Sequence, residues 1–94
     1  MKLEWSAAAL ADLDRFATFI HERHPSLARI VAAEIRNKAA ILSDHPFSGR
    51  PIADRPEFRE LVLEVLNAHY VFRYATDGSR LVMLRVFHSR ELRE

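Results

Sequence analysis

Hydrophobic and polar positions follow two different periods along this chain, and the change from one to the other divides it into a helical and a strand-forming part. Leu3 and Trp5 alternate with Lys2 and Glu4, the period of two that marks a short half-buried strand. Ser6 then stands where an N-cap would, and alanines with high helix propensity follow at once. From Ala7 to about His21, the residues Ala9, Leu10, Leu13, Phe16, Ala17 and Ile20 fall on one helical face, with Asp12, Asp14, Arg15 and Thr18 away from its centre. Phe19 lies outside that stripe and is expected to pack against the next helix.

His24-Pro25-Ser26 breaks the first helix, because a proline biases the residue before it out of the helical region. Ser26 is the expected cap of a second helix, which runs from Leu27 to about Ser43. Its main stripe is Ala28, Val31, Ala32, Ile35, Ala39 and Leu42, and Ile30 and Ile41 form a second strip to one side. The short joint predicts an antiparallel helical hairpin.

Asp44-His45-Pro46 ends the second helix, and the stretch from Phe47 to Glu57 reads as a connecting loop rich in turn residues. Beyond it the period returns to two. A strand is predicted from about Phe58 to Leu66, with Leu61, Leu63 and Val65 opposed to Glu60, Val62 and Glu64. Asn67-Ala68 is read as the turn into a second strand, His69 to Ala75, which sets Tyr70, Phe72 and Tyr74 against Val71 and Arg73. Asp77-Gly78 is a stronger hairpin signal. The third strand, Arg80 to Phe87, places Val82, Leu84 and Val86 on one side and Leu81, Met83 and Arg85 on the other. Being apolar on both faces, it is expected inside the sheet. A short charged tail, His88 to Glu94, follows.

The order β-α-α-β-β-β defines an α+β fold, with a helical hairpin on one face of a small, mostly antiparallel sheet. At 94 residues the chain has room for a single domain, residues 1–94. A hydrophobic fraction of 49% argues against disorder, and no stretch approaches the ~20 apolar residues needed to cross a bilayer. With no signal-peptide pattern at the start, a soluble cytoplasmic protein is expected. The absence of cysteine excludes disulfides and thiolate metal sites.

The net charge of +1 gives no argument for nucleic-acid binding, but the kind of base is informative. Lysine occurs only at Lys2 and Lys38, so the basic groups of the strand region are all arginines. Arginine presents a rigid fork to carboxylates and phosphates and does not serve as a general base. Arg59 opens the first strand of the meander, Arg73 lies within the second, and Arg85, His88 and Arg90 cluster where the third ends. Tyr70 and Tyr74 add hydroxyls and stacking surfaces. Such a group suits a phosphodiester, with arginines offsetting charge and histidine moving a proton, and equally suits an acidic peptide. Ion pairing of Arg59, Arg73 and Arg85 with Glu60, Glu64 or Asp77 is the competing structural role. The five histidines show no metal-ligand spacing and the two glycines stand apart, so neither a metal, a cofactor nor a phosphate loop is expected.

Over nearly its whole length the chain resembles the RelE/ParE superfamily of toxins from bacterial toxin–antitoxin modules. The resemblance rests on Ala11-Asp12-Leu13 in the first helix, Leu42 before Pro46, Gly49-Arg50, Arg59-Glu60-Leu61-Val62, the strand from Tyr70 to Tyr74, and Leu84-Arg85-Val86-Phe87-His88-Ser89-Arg90. It implies a growth-inhibiting toxin neutralised by a cognate antitoxin. RelE-like members cleave messenger RNA on the ribosome; ParE-like members inhibit DNA gyrase without known catalytic residues. The ParE-like branch fits better, because the first meander strand lacks lysine, no tyrosine follows the last strand, and near-neutral charge suits ribosomal RNA poorly. For a ribonuclease the resemblance would place Arg59, Arg85, His88 and Arg90 at the scissile phosphate. For target or antitoxin contact the candidates are Arg59, Tyr70, Arg73, Arg85, His88 and Arg90. Phe19, Ile30 and Ile41 are candidate apolar contacts to an antitoxin helix or strand, with packing between the two helices as the simpler alternative. A non-toxic antitoxin-binding module is the third reading.

Overall fold

In the computed structural model, which describes residues 1–92, the chain runs through β1 (Leu3–Trp5), α1 (Ala7–His21), α2 (Pro25–Ala39) and a one-turn α3 (Ile41–Asp44). It continues through β2 (Arg50–Ile52), β3 (Arg55–Val65), β4 (Ala68–Thr76), β5 (Leu81–His88) and a 3-10 turn, Ser89–Leu92. Arg93 and Glu94 of the charged tail lie outside the described residues. The strands form one sheet in the order β1-β5-β4-β3-β2, antiparallel except where β1 runs parallel to β5. Helices α1 and α2 cover one face, so the α+β class expected from the sequence is the class observed. No described helix is long and apolar enough to cross a membrane.

The core lies between that face and the hairpin. Ala9, Leu13 and Phe16 of α1 and Val31, Ile35 and Ala39 of α2 meet Phe72, Tyr74, Leu81, Met83 and Val86 of the sheet. Ser6 caps α1 as expected: its Oγ accepts the Ala9 N–H at 3.0 Å and donates to the Leu84 carbonyl at 3.0 Å, tying the helix start to β5. Ser26 does not cap α2. That helix begins two residues earlier than expected, with Pro25 in its first turn and His24 at the cap position making no side-chain bond.

Four local expectations are corrected. The loop before β3 contains a further strand, β2, whose Arg50 and Pro51 pair with Glu60 and Arg59. An edge strand tolerates proline because it needs no donor on its outer side. The turn between β3 and β4 is formed by Leu66 and Asn67, both at positive φ (52° and 68°), rather than by Asn67 and Ala68. In β5 an irregularity in the pairing of Arg73-Tyr74 with Met83 to Arg85 adds one residue, so Val86 shares the buried face with Leu81 and Met83 instead of opposing them. Finally, Phe19, Ile30 and Ile41 are 56%, 47% and 45% exposed, so none of them is sealed between the helices.

The β4–β5 turn carries the predicted Asp77-Gly78, with Gly78 at φ 93°. The Asp77 carboxylate accepts the N–H groups of Arg80 and Ser79 and the Ser79 hydroxyl, which together hold its pKa down at about 2.

Candidate functional site

Beyond Met83, the side of β5 away from β4 has no neighbouring strand, because β1 pairs only with Leu81 to Met83. The place of a further strand is taken by Asp12 of α1, a residue only 1% exposed. Its carboxylate accepts the Val86 N–H at 2.8 Å, Arg85 Nε and Nη2 at 2.8 and 3.0 Å, and Arg15 Nη1 at 2.6 Å. Burial pushes the Asp12 pKa up, but the bonds from Arg85, Val86 and Arg15 outweigh it and leave the carboxyl below its ordinary value. Arg15 and Arg85 are both held further towards the charged form, chiefly by their bonds to Asp12. Arg15 also makes a two-pronged contact with Glu91, at 3.1 and 3.0 Å, and Glu91 accepts the His88 N–H. One acid thus joins the first helix to the last strand, and a second joins it to the turn that follows.

The register sorts the remaining candidates onto two faces. Glu60, Arg73 and Arg85 form one row across β3, β4 and β5 on the face without helices. There Arg73 grips Glu60, with Nε at 2.8 Å from the carboxylate, and the guanidiniums of Arg73 and Arg85 lie 5.1 and 4.8 Å from the Phe87 ring. Arg59 pairs with Tyr74, and its side chain donates to the carbonyls of Gly49 and Phe47 at 2.8 and 3.3 Å. It therefore fastens the connector to the sheet. The same connector is held by Tyr74, whose buried hydroxyl donates to the Pro46 carbonyl and accepts the Gly49 N–H, each at 2.8 Å.

Tyr70 and His88 pair at the opposite end of the sheet. Tyr70 is buried edge-on against Phe16 and His88, at ring separations of 5.2 and 5.3 Å, and burial, with some help from the Glu91 charge, raises its pKa. His88 Nδ1 accepts the Arg90 N–H at 3.1 Å. Counting four residues of β4 at roughly 3.3 Å each, the Arg59 position lies ~13 Å along the strand from the His88 position. Of the four residues grouped for phosphodiester chemistry, the structure brings His88 and Arg90 together, places Arg85 beside Asp12, and leaves Arg59 at the far end.

Next to Tyr70 a groove of about 460 Å³ opens between the α1–α2 joint, the β3–β4 turn and the 3-10 turn. Phe16, Val31, Val65 and Tyr70 line it, Phe19 and Leu66 border it, and Arg15, Arg90 and Glu91 stand around it. Asp12 and Gly49 entered the sequence reading through Ala11-Asp12-Leu13 and Gly49-Arg50, with no contact assigned to either, and Leu66 only as the end of a strand. For Asp12 a signal existed: it lies three residues after Ala9 and four before Phe16, within the buried stripe, and only its charge argued against burial.

With this geometry in place, known proteins supply the decisive comparison. The profile of a family described as "ParE toxin of type II toxin-antitoxin system, parDE" matches residues 3–93. The chain belongs to the ParE toxin family. It is accordingly the toxin component of a type II toxin–antitoxin module, and its partner is a cognate antitoxin. A putative toxin of Sinorhizobium fredii, Y4kP, is 30% identical over 90 residues, covering 96% of this chain and 90% of that protein. The fold matches a chain from a structure titled "Chromosomal ParDE TA system from P. aeruginosa" with a TM-score of 0.75 at 23% identity, over 94% of this chain and 95% of the other. The ParE match takes in Asp12, the Gly49 connector and the whole sheet, which are the parts of the chain that hold its polar groups in internal contacts.

Proposed function

We propose that this ParE-family toxin acts in the cytoplasm as an inhibitor of DNA gyrase, by contact rather than by catalysis, until the antitoxin covers it. The observation that carries this reading is the internal commitment of the meander's arginines. Arg85 is held by Asp12, Arg73 by Glu60 and Arg59 by two carbonyls, so each guanidinium has a structural partner. A nuclease site needs a base and charge-stabilising donors aimed at one phosphate. Here Arg59 of β3 and His88 of β5 pair with Tyr74 and Tyr70 of β4, positions ~13 Å apart along that strand. The surface left for a target is the Phe87 face and the apolar groove.

Purified toxin freed of antitoxin is expected to inhibit gyrase supercoiling at micromolar protein, and His88→Ala is expected to retain that inhibition. Unaffected gyrase at that concentration would refute the reading. The ribosome-dependent ribonuclease is kept as a second reading because His88, Arg90 and Tyr70 do gather at one end of the sheet. Toeprints of translating ribosomes would reveal it as A-site cuts that disappear in His88→Ala. Normal growth on induction of the toxin alone would instead favour an antitoxin-binding module without toxicity.

A further inference from the structure

Two-residue hairpin turns with both residues at positive φ favour Asn-Gly or Asp-Gly, since an L-residue with a bulky side chain is strained there. Asn67 suits its position, at φ 68°, but Leu66, at φ 52°, does not. The fold gains little in return. Leu66 is 40% exposed and stays outside the set of residues that form the core. Its side chain instead borders the apolar groove, facing the same space as Phe19, which is 56% exposed.

The charges around the groove are unequal in their commitments. Glu91 is occupied by Arg15 and by the His88 N–H. Arg90 has no acidic partner among the described residues. Arg23, outside the groove itself, stacks on Phe19 with its guanidinium 4.1 Å from the ring centre, donates to the Phe19 carbonyl at 3.2 Å and has the Glu22 carboxylate at 3.8 Å. An apolar floor with Arg90 uncompensated at its rim, and Arg15 already bound to Asp12 and Glu91, is complementary to an apolar segment that carries a carboxylate.

We infer that Leu66 is a strained anchor residue, and that it and Phe19 frame a groove taking the apolar side chains of an acidic segment of the antitoxin, with Arg90 as the charge partner. The inference rests on the chain pairing with an antitoxin and names the surface and side chains that do so. A second copy of this chain fits less well, because it would bring its own arginines to the same place.

The strain gives the test an unusual signature: one substitution should move stability and binding in opposite directions. Full-length wild type, Leu66→Asn and Arg90→Glu would be compared by urea unfolding and by titration with the antitoxin encoded beside the toxin gene. Leu66→Asn is expected to raise the urea midpoint of the free toxin and to weaken antitoxin binding at least tenfold. Arg90→Glu is expected to weaken binding by a similar factor while leaving the midpoint unchanged. If wild type binds and Leu66→Asn binds within twofold of it, the anchor role is overturned. A lowered midpoint in Leu66→Asn would overturn it as well, because Leu66 would then serve the fold. If wild type itself fails to bind that antitoxin, the pairing on which the inference rests has failed.

Discussion

Asp12→Ala is expected to destabilise the protein by about 3 kcal/mol, more than any other single polar truncation described above. The figure follows from the acid's position. Removing one partner of a buried ion pair costs roughly 3–5 kcal/mol when the other is left stranded. Here the Arg15 and Arg85 side chains are 43% and 42% exposed and can recover hydration, which moves the cost to the lower end. The Val86 N–H cannot recover it so easily: its bond to Asp12 is buried, and β1 does not reach that far along β5 to offer another acceptor. For a domain of this size the change corresponds to a fall in Tm on the order of 15 °C, readable by calorimetry. A shift of only a degree or two would mean that α1 is held to β5 by packing alone.

The same residue predicts a pH dependence. The folded-state pKa of Asp12 is below its ordinary value of 3.8, so its charge stabilises the fold fully above that value. The contribution is lost as pH falls below about 4 towards the depressed folded value. Urea midpoints measured from pH 6 to pH 2.5 should therefore drop more steeply in wild type than in Asp12→Asn. Parallel curves would show that the carboxylate is not responsible.

Gly49→Ala should cost about 2–4 kcal/mol by a different route, overpacking combined with a lost hydrogen bond. A Cβ at Gly49 would lie 2.6 Å from the Tyr74 hydroxyl, 2.8 Å from its ring and 2.9 Å from the Glu60 carbonyl oxygen. The carbonyl belongs to the sheet backbone, and Tyr74 is fully buried and fastened to Pro46, so neither can swing aside. Tyr74→Phe removes the nearest of these atoms. The cost of Gly49→Ala in a Tyr74→Phe background should accordingly be smaller than in wild type by about 1 kcal/mol. Strict additivity in the double-mutant cycle would show that the two residues do not press on one another.

Element order was readable because each element keeps one period. Leu61, Leu63 and Val65 alternate cleanly, and Val31, Ile35 and Ala39 recur at helical spacing. The misreadings came where a local rule was broken for a tertiary reason. A leucine at positive φ moved the hairpin turn by one residue, since sequence pattern places asparagine or glycine there. One extra residue in β5 reversed the facing of Val86, and a bulge leaves no mark in hydrophobic alternation. Arg50-Pro51-Ile52 is too short and too rich in turn residues to read as a strand. The candidate residues were chosen for their chemistry, which sequence carries well. Which of them were already engaged, Arg59 with carbonyls and Arg85 with Asp12, depended on a register that no pattern supplies.

The placement of β5 also has a bearing on time. It is made after every other strand, yet it sits inside the sheet, between β1 from the start of the chain and β4. Leu3 to Trp5 must wait for Leu81 to Met83, and Asp12 for Arg85 and Val86, before either is satisfied. While a ribosome adds ~5–20 residues per second, the helices and the β3–β4 hairpin can emerge but cannot close over a finished core. The toxin surface is therefore completed late, around the moment when β5 clears the ribosome.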